Sequence, residues 1–161
     1  TTSILDLTPS TGSLIETDDP YWPNKGYKFN ASQSFTISGG SWYFSLVEGG
    51  ITRMNIYNSS GTLLSQGTNA SGDGTEQWYQ SDVSYTFQSG QTYTISFYTD
   101  RAESSLFDRK NGASGGYSVD GLVSNVYSRS GLNSSGGDNG SEAYPNSSNS
   151  WWPFQRLHVV E

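Results

Sequence analysis

The sequence predicts an all-β fold, an antiparallel two-sheet sandwich of the jelly-roll type formed as one domain over 1–161. Three observations carry that expectation. Apolar residues alternate with polar ones in Phe35-x-Ile37, Met54-x-Ile56 and Tyr93-x-Ile95-x-Phe97, the spacing that puts every second side chain on one face of a strand. Helical periodicity is missing over any useful length. Clusters of Gly, Ser and Asn interrupt the alternating runs at short intervals, as turns do in sandwiches. A chain of 161 residues is long enough to bury roughly 70% of its unfolded surface around one core.

In chain order, a first strand is expected near 3–8, although Ile4-x-x-Leu7 fits either period. Strands near 27–38 and 41–48 are parted by Ser38-Gly39-Gly40-Ser41, and 41–48 and 51–57 by Glu48-Gly49-Gly50-Ile51. Paired glycines there read as tight reversals, because glycine enters positive φ at least cost. Asn58-Ser59-Ser60-Gly61 does the same before a strand near 62–68, so 27–68 reads as a meander of antiparallel hairpins. Strands near 75–80, 83–87 and 92–99 follow. The stretch 101–116 mixes Glu103, Asp108, Arg109 and Lys110 with Asn111-Gly112 and reads as a long loop or one short helical turn. A strand is expected near 117–128. Beyond it, 128–150 reads as a long surface loop, since Leu132 is the only apolar side chain in 131–140 and such a segment buries little. The last strand, near 154–160, is expected to pair beside an early one and bring the termini together.

Composition narrows the function. Charged residues are 14% of the chain, and Ser, Thr, Asn and 19 glycines stand in their place; soluble domains average roughly 25% charged. That balance fits an extracellular or cell-surface β-protein. A net charge of −7 with only eight Lys and Arg argues against nucleic acid and anionic membranes, which need clustered cations. No apolar run approaches the roughly 18 residues of a membrane span. There is no Cys, so disulfides, thiol nucleophiles and thiolate metal ligands are excluded. The one histidine, His158, sits in an alternating strand and reads as a sheet-surface residue. No Gly-x-Ser-x-Gly elbow or phosphate loop occurs, and no carboxylate pair stands out by spacing, so a non-catalytic chain is expected.

The aromatic residues are the chemical feature. All five tryptophans fall in doublets, Tyr21-Trp22, Trp42-Tyr43, Trp78-Tyr79 and Trp151-Trp152. In a strand, neighbours point to opposite faces, so Trp42-Tyr43 and Trp78-Tyr79 should each turn one ring outward. Tyr21-Trp22 and Trp151-Trp152, bounded by Pro20, Pro23 and Pro153, read as loop doublets with both rings available. Tyr21, Trp22, Trp42, Trp78, Trp151 and Trp152 are therefore the ligand-binding candidates, with core packing the competing account of each. Two loops gather carboxylates, Asp18 and Asp19 after Glu16-Thr17, and Asp73 and Glu76 about Gly74-Thr75. A structural Ca²⁺ is the ion such oxygen ligands take, and an ordinary capped turn is the alternative.

The run Trp78-Tyr79-Gln80-Ser81-Asp82-Val83-Ser84-Tyr85-Thr86-Phe87-Gln88-Ser89-Gly90-Gln91-Thr92-Tyr93-Thr94-Ile95-Ser96-Phe97-Tyr98 resembles the strand-turn-strand signature of bacterial jelly-roll modules. It is similar to carbohydrate-binding modules of secreted polysaccharide hydrolases. It also resembles a bacterial surface-protein domain of unknown function, in Ser60-Gly61-Thr62-Leu63-Leu64, in Tyr144-Pro145 and in the strand Leu157 to Val160. The resemblance covers mainly 51–99 and transfers no binding residue. It implies a non-catalytic, extracellular carbohydrate-binding or adhesive module whose partner is a polysaccharide or cell-surface glycan. The alternative is a self-assembling subunit of a surface layer, pilus or filament, with self-association through strand addition by the N-terminal segment.

Overall fold

The computed structural model describes residues 1–18, 22–131, 140–148 and 151–161, without the side chains of 17 and 18. Among them, fifteen strands form: β1 (Thr2–Asp6), β2 (Ser13–Asp18), β3 (Asn24–Ala31), β4 (Phe35–Ser45), β5 (Ile51–Asn58), β6 (Leu63–Gln66), β7 (Ala70–Ser71), β8 (Glu76–Phe87), β9 (Thr92–Thr99), β10 (Leu106–Asn111), β11 (Tyr117–Val119), β12 (Val123–Ser130), β13 (Ser147–Ser148), β14 (Trp151–Pro153) and β15 (Gln155–Val160). They build two antiparallel sheets. The first has the order β1–β15–β4–β8 and the second β3–β9–β5–β6. Along this eight-strand frame the chain passes between the sheets at every step except β5 to β6. That order of strands is a jelly roll, and the expected all-β sandwich is the fold.

Residues 100–154 leave this frame between β9 and β15 and add to both sheets. On the first sheet, β10 meets the end of β4 and carries β2 and β14. On the second, β12 pairs outside β3 and carries β11 and β13.

The core lies between the sheets and is largely aromatic. Trp42 stacks on Phe44 with ring centroids 4.0 Å apart, and Phe97 and Phe107 close around the indole at 6.1 and 5.4 Å. Toward the opposite end, Phe87 contacts Phe29, Phe35 and Tyr93. Offset and edge-on rings of this kind are worth about 0.5–1.5 kcal/mol per pair beyond the area they bury.

Several expected elements differ. Ser38-Gly39-Gly40-Ser41 is no reversal; it lies within β4, at a register shift shared with β8 and β15. Glycine is needed there for close approach: a Cβ on Gly39 would stand 2.5 Å from the Ser81 carbonyl oxygen, and one on Gly40 2.7 Å from the Met54 sulfur. The meander over 27–68 does not form either, because β3 and β5 lie in one sheet and β4 in the other; only β5 and β6 make a hairpin. Its turn keeps the expected chemistry, with Gly61 at φ +82° and the Asn58 side chain accepting from the Ser60 and Thr62 amides. The 75–80 and 83–87 runs are one strand, β8. The stretch 101–116 holds β10, and 128–150 carries the short β13.

The closing strand behaves as expected. β15 pairs with β1 from Thr2↔Val160 to Asp6↔Arg156, and this pairing buries Leu5 and Leu7. The N-terminal segment expected to donate a strand to a neighbour is thus already paired within its own sheet.

Candidate functional site

The strand doublets obey alternation. Trp42 and Tyr79 point into the core, buried at 0% and 4% exposure, while Tyr43 and Trp78 face outward side by side on β4 and β8. Trp42 is thereby corrected from ligand contact to core packing. Trp78 is half-buried: the Arg156 guanidinium lies 3.9 Å from its ring centroid, and Tyr43 stands at 5.3 Å and 54°. Part of this outward indole is thus taken by the protein's own cation.

The expectation that Trp151-Trp152 is a free loop doublet is also corrected. Both residues lie in β14, paired with Lys110 and Asn111 of β10, so alternation applies. Trp152 turns into the core against Tyr27 and Tyr117, each at 6.1 Å. Trp151 is held between cations, with Lys25 Nζ 4.4 Å and the Arg109 guanidinium 3.8 Å from its ring centroid. Such contacts are worth roughly 0.5–2 kcal/mol each, more when desolvated, and Lys25 is 1% exposed. They explain the placement of Trp151 as structure. Trp22 is half-buried, and Tyr21 and Asp19 lie outside the described residues.

The proposed metal loop at Asp73 has the geometry of a capped turn. The Asp73 carboxylate accepts from the Thr75 amide and hydroxyl, the Gln77 amide and the Tyr79 hydroxyl. These bonds, Thr75's first, hold its carboxyl down at about 2. Glu76 turns toward Tyr43 and Asp108; burial pushes its carboxyl up, with Asp108 and Glu16 adding to the rise, against the opposing bond from Tyr43. Asp18 ends β2. Among the described residues no group of three His, Asp or Glu is placed to hold a metal ion. His158, expected at the sheet surface, is buried at 9% exposure, and its Nε2 lies 2.8 Å from the hydroxyl of Ser41, which is buried with it.

A cleft with an exposed aromatic residue lies elsewhere, on the outer face of the second sheet. Among the described residues Tyr127 is the most exposed aromatic residue, at 44%. It lines a cleft of about 250 Å³ together with Lys28, Asn30, Asn125, Arg129 and Ser148. Each lining residue has a positional reason. Lys28 and Asn30 alternate outward on β3, against inward Tyr27, Phe29 and Ala31. Tyr127 and Arg129 alternate outward on β12, and Tyr127 lies directly across from Lys28 in register.

Between Ser124 and Tyr127 the register shifts, and Asn125 occupies a left-handed φ of 55°. A bulge re-aims the side chains that follow it, and Asn tolerates this conformation better than other residues with a Cβ. Here it turns Val126 inward and Tyr127 outward. Gly115 and Gly116 back the ring. A Cβ on Gly115 would fall 2.4 Å from the ring edge, and one on Gly116, at φ +81°, 3.0 Å from the hydroxyl. Arg129 is fixed by donating from Nε to the Pro145 carbonyl at 3.2 Å. Asn30 accepts from the Thr92 hydroxyl at 2.7 Å, which sets its carbonyl oxygen toward β9.

A second cleft, of about 410 Å³, lies between Asp6–Thr11 and Ser114–Val119. Its one ring, Tyr117, is half-buried and donates its hydroxyl to the Leu7 carbonyl. Burial, with Asp6 nearby, raises that phenol far above its usual range. The larger cleft therefore offers no open aromatic face.

Tyr127 lies outside the tryptophan doublets that mark the sequence candidates. The signal was present in Val123-x-x-Val126-Tyr127: the inward valines are three apart, which a regular strand does not allow and a bulge does.

No protein-family model matches the sequence, and no curated protein matches it. Among solved structures the chain is similar to a family 35 carbohydrate binding module from an environmental isolate, at 13% identity over 66% of this chain and 79% of that one, with a TM-score of 0.38. It is also similar to the structure of infectious bursal disease virus, Gt strain, at 12% identity over 99% of this chain and a TM-score of 0.31. This chain spans 38% of that one. At these scores the function is left to be read from the site.

Proposed function

We propose that the protein is a non-catalytic carbohydrate-binding module whose site is the Tyr127 cleft, and that it acts outside the cell or at its surface. The observation that carries the reading is the exposed Tyr127 ring set among polar side chains. A ring rigidly backed by glycine backbone offers an apolar face on which a pyranose can stack at low entropic cost. Around it, the Asn30 and Asn125 amides and the Ser148 hydroxyl supply donors and acceptors for sugar hydroxyls. No described residue at the cleft forms the acid pair that glycoside hydrolysis needs, since its lining holds no Asp or Glu. The low charged fraction and polar, Gly-rich composition support the extracellular setting.

The test is a polysaccharide array or affinity electrophoresis with wild type, Tyr127→Ala and Trp78→Ala. Wild type is expected to bind at least one glycan, Tyr127→Ala to lose it with an unchanged melting temperature, and Trp78→Ala to keep it. Loss in Trp78→Ala alone would move the site to the first sheet.

A further inference from the structure

We propose that the saccharide taken by the Tyr127 cleft carries an anionic substituent, a carboxylate or an ester sulfate, held by Lys28 and Arg129. The proposal rests on the glycan-binding reading above and adds the charge of the ligand.

The argument begins with where the cations go. The chain has eight Lys and Arg against fifteen Asp and Glu, so a cation has acids in excess to pair with. Arg53 pairs with Glu142 and Arg101 with Asp100. Lys25, Arg109 and Arg156 lie over Trp151 or Trp78. Lys110, on β10, makes no ion pair among the described residues but lines neither cleft. Lys28 and Arg129 instead line one cleft whose other described residues are Asn30, Asn125, Tyr127 and Ser148, with no acid among them. Among the described residues neither makes an ion pair. Two cations in an acid-free hollow, on a chain of net charge −7, make a local positive site against the prevailing field.

The geometry suits a ring-borne anion. Lys28 stands directly across from Tyr127 in the strand pair, where opposed Cβ atoms are roughly 5 Å apart. A carboxylate or sulfate on the rim of a sugar stacked on Tyr127 would thus come within reach of the ammonium. Arg129 is anchored through Nε on the Pro145 carbonyl, which orients the guanidinium and leaves its Nη2 donors for an oxyanion. A planar fork of that kind binds carboxylate or sulfate oxygens with charge-assisted bonds, while Lys28 acts as a point charge. Both residues are half-buried, so their attraction is screened less than that of fully exposed charges.

Isothermal titration of polygalacturonate against its methyl-esterified form, and of κ-carrageenan against its desulfated form, tests the proposal and separates the two anions. The proteins are wild type, Lys28→Gln, Lys28→Arg, Arg129→Gln and Tyr127→Ala, each checked for an unchanged melting temperature. Wild type is expected to bind one charged polymer at least about tenfold more tightly than its neutralised form. Lys28→Gln and Arg129→Gln should lose that preference, Lys28→Arg should keep most of it, and Tyr127→Ala should lose binding altogether. Equal affinity for charged and neutralised polymers, lost in Tyr127→Ala but not in Lys28→Gln, would overturn the anion and leave the glycan site standing. Binding to neither pair, or binding that survives Tyr127→Ala, would overturn both.

Discussion

The jelly-roll frame and segment 140–148 of the excursion over 100–154 are held by different forces. The frame closes on interdigitated rings and aliphatic side chains, with Trp42, Phe44, Phe87 and Phe97 at 0% exposure. The excursion inserts Phe107, Val123, Val126 and Trp152 into that core, and its segment 140–144 is fastened mainly by polar contacts. Glu142 receives Arg53 through two nitrogens at 2.7 and 2.8 Å, and Asn55 at 2.8 Å. Asn24 donates to the Ser141 carbonyl and accepts from the Ala143 amide. Tyr144 packs edge-on against Tyr57 at 5.1 Å. Apolar burial tolerates many arrangements of similar volume, whereas directional bonds fix one. The Tyr127 cleft lies where the two regions meet, with Lys28 and Asn30 from the frame and Asn125, Tyr127, Arg129 and Ser148 from the excursion.

The largest expected effect is in the frame. Trp42→Ala should cost about 3–5 kcal/mol in urea unfolding; a loss below about 1 kcal/mol would mean that the aromatic stack is not what holds the sheets together. Next comes the fastening of the excursion. Glu142→Ala leaves the Arg53 guanidinium, about a quarter exposed, without its carboxylate and should cost about 1–2 kcal/mol after allowance for solvent screening. Hydrogen exchange should quicken over 140–148 and stay slow in β4 and β9. Equal quickening in both would erase the distinction between the regions.

Acid should act on the same fastening. Burial pushes the Glu142 carboxyl up, but the bonds from Arg53 and Asn55 outweigh it and hold it below its ordinary 4.5. A carboxylate lowered in the folded state contributes stability that is fully present above about pH 4.5 and is lost as pH falls through the folded value. The melting temperature of wild type should therefore drop more steeply below pH 4.5 than that of Glu142→Gln; parallel curves would remove Glu142 as the acid-sensitive group. The smallest effect belongs to the exposed Asp73 turn. Asp73→Asn should lower the melting temperature least of these variants, and millimolar calcium or a chelator should leave wild type unchanged. A rise with calcium that Asp73→Asn abolishes would assign an ion to that loop.

The sequence by itself determined what local rules control. Period-two alternation in β5 and β9 placed Met54, Ile56, Ile95 and Phe97 in the core, and Gly49, Gly61 and Gly90 took the positive φ that their turns require. The same alternation split the strand doublets into inner and outer rings. Tertiary structure decided what depends on chain segments far apart. Gly39 and Gly40 looked like a turn because their real constraint, the approach of Ser81 and Met54, comes from other strands. Trp151-Trp152 looked free because β10, its partner, had no readable alternation. The Tyr127 cleft required β3 and β12 to lie side by side, almost a hundred positions apart in the chain, and a single bulge at Asn125 to choose which way Tyr127 faces. Alternation is a property of neighbours; adjacency across a sheet is a property of the whole fold.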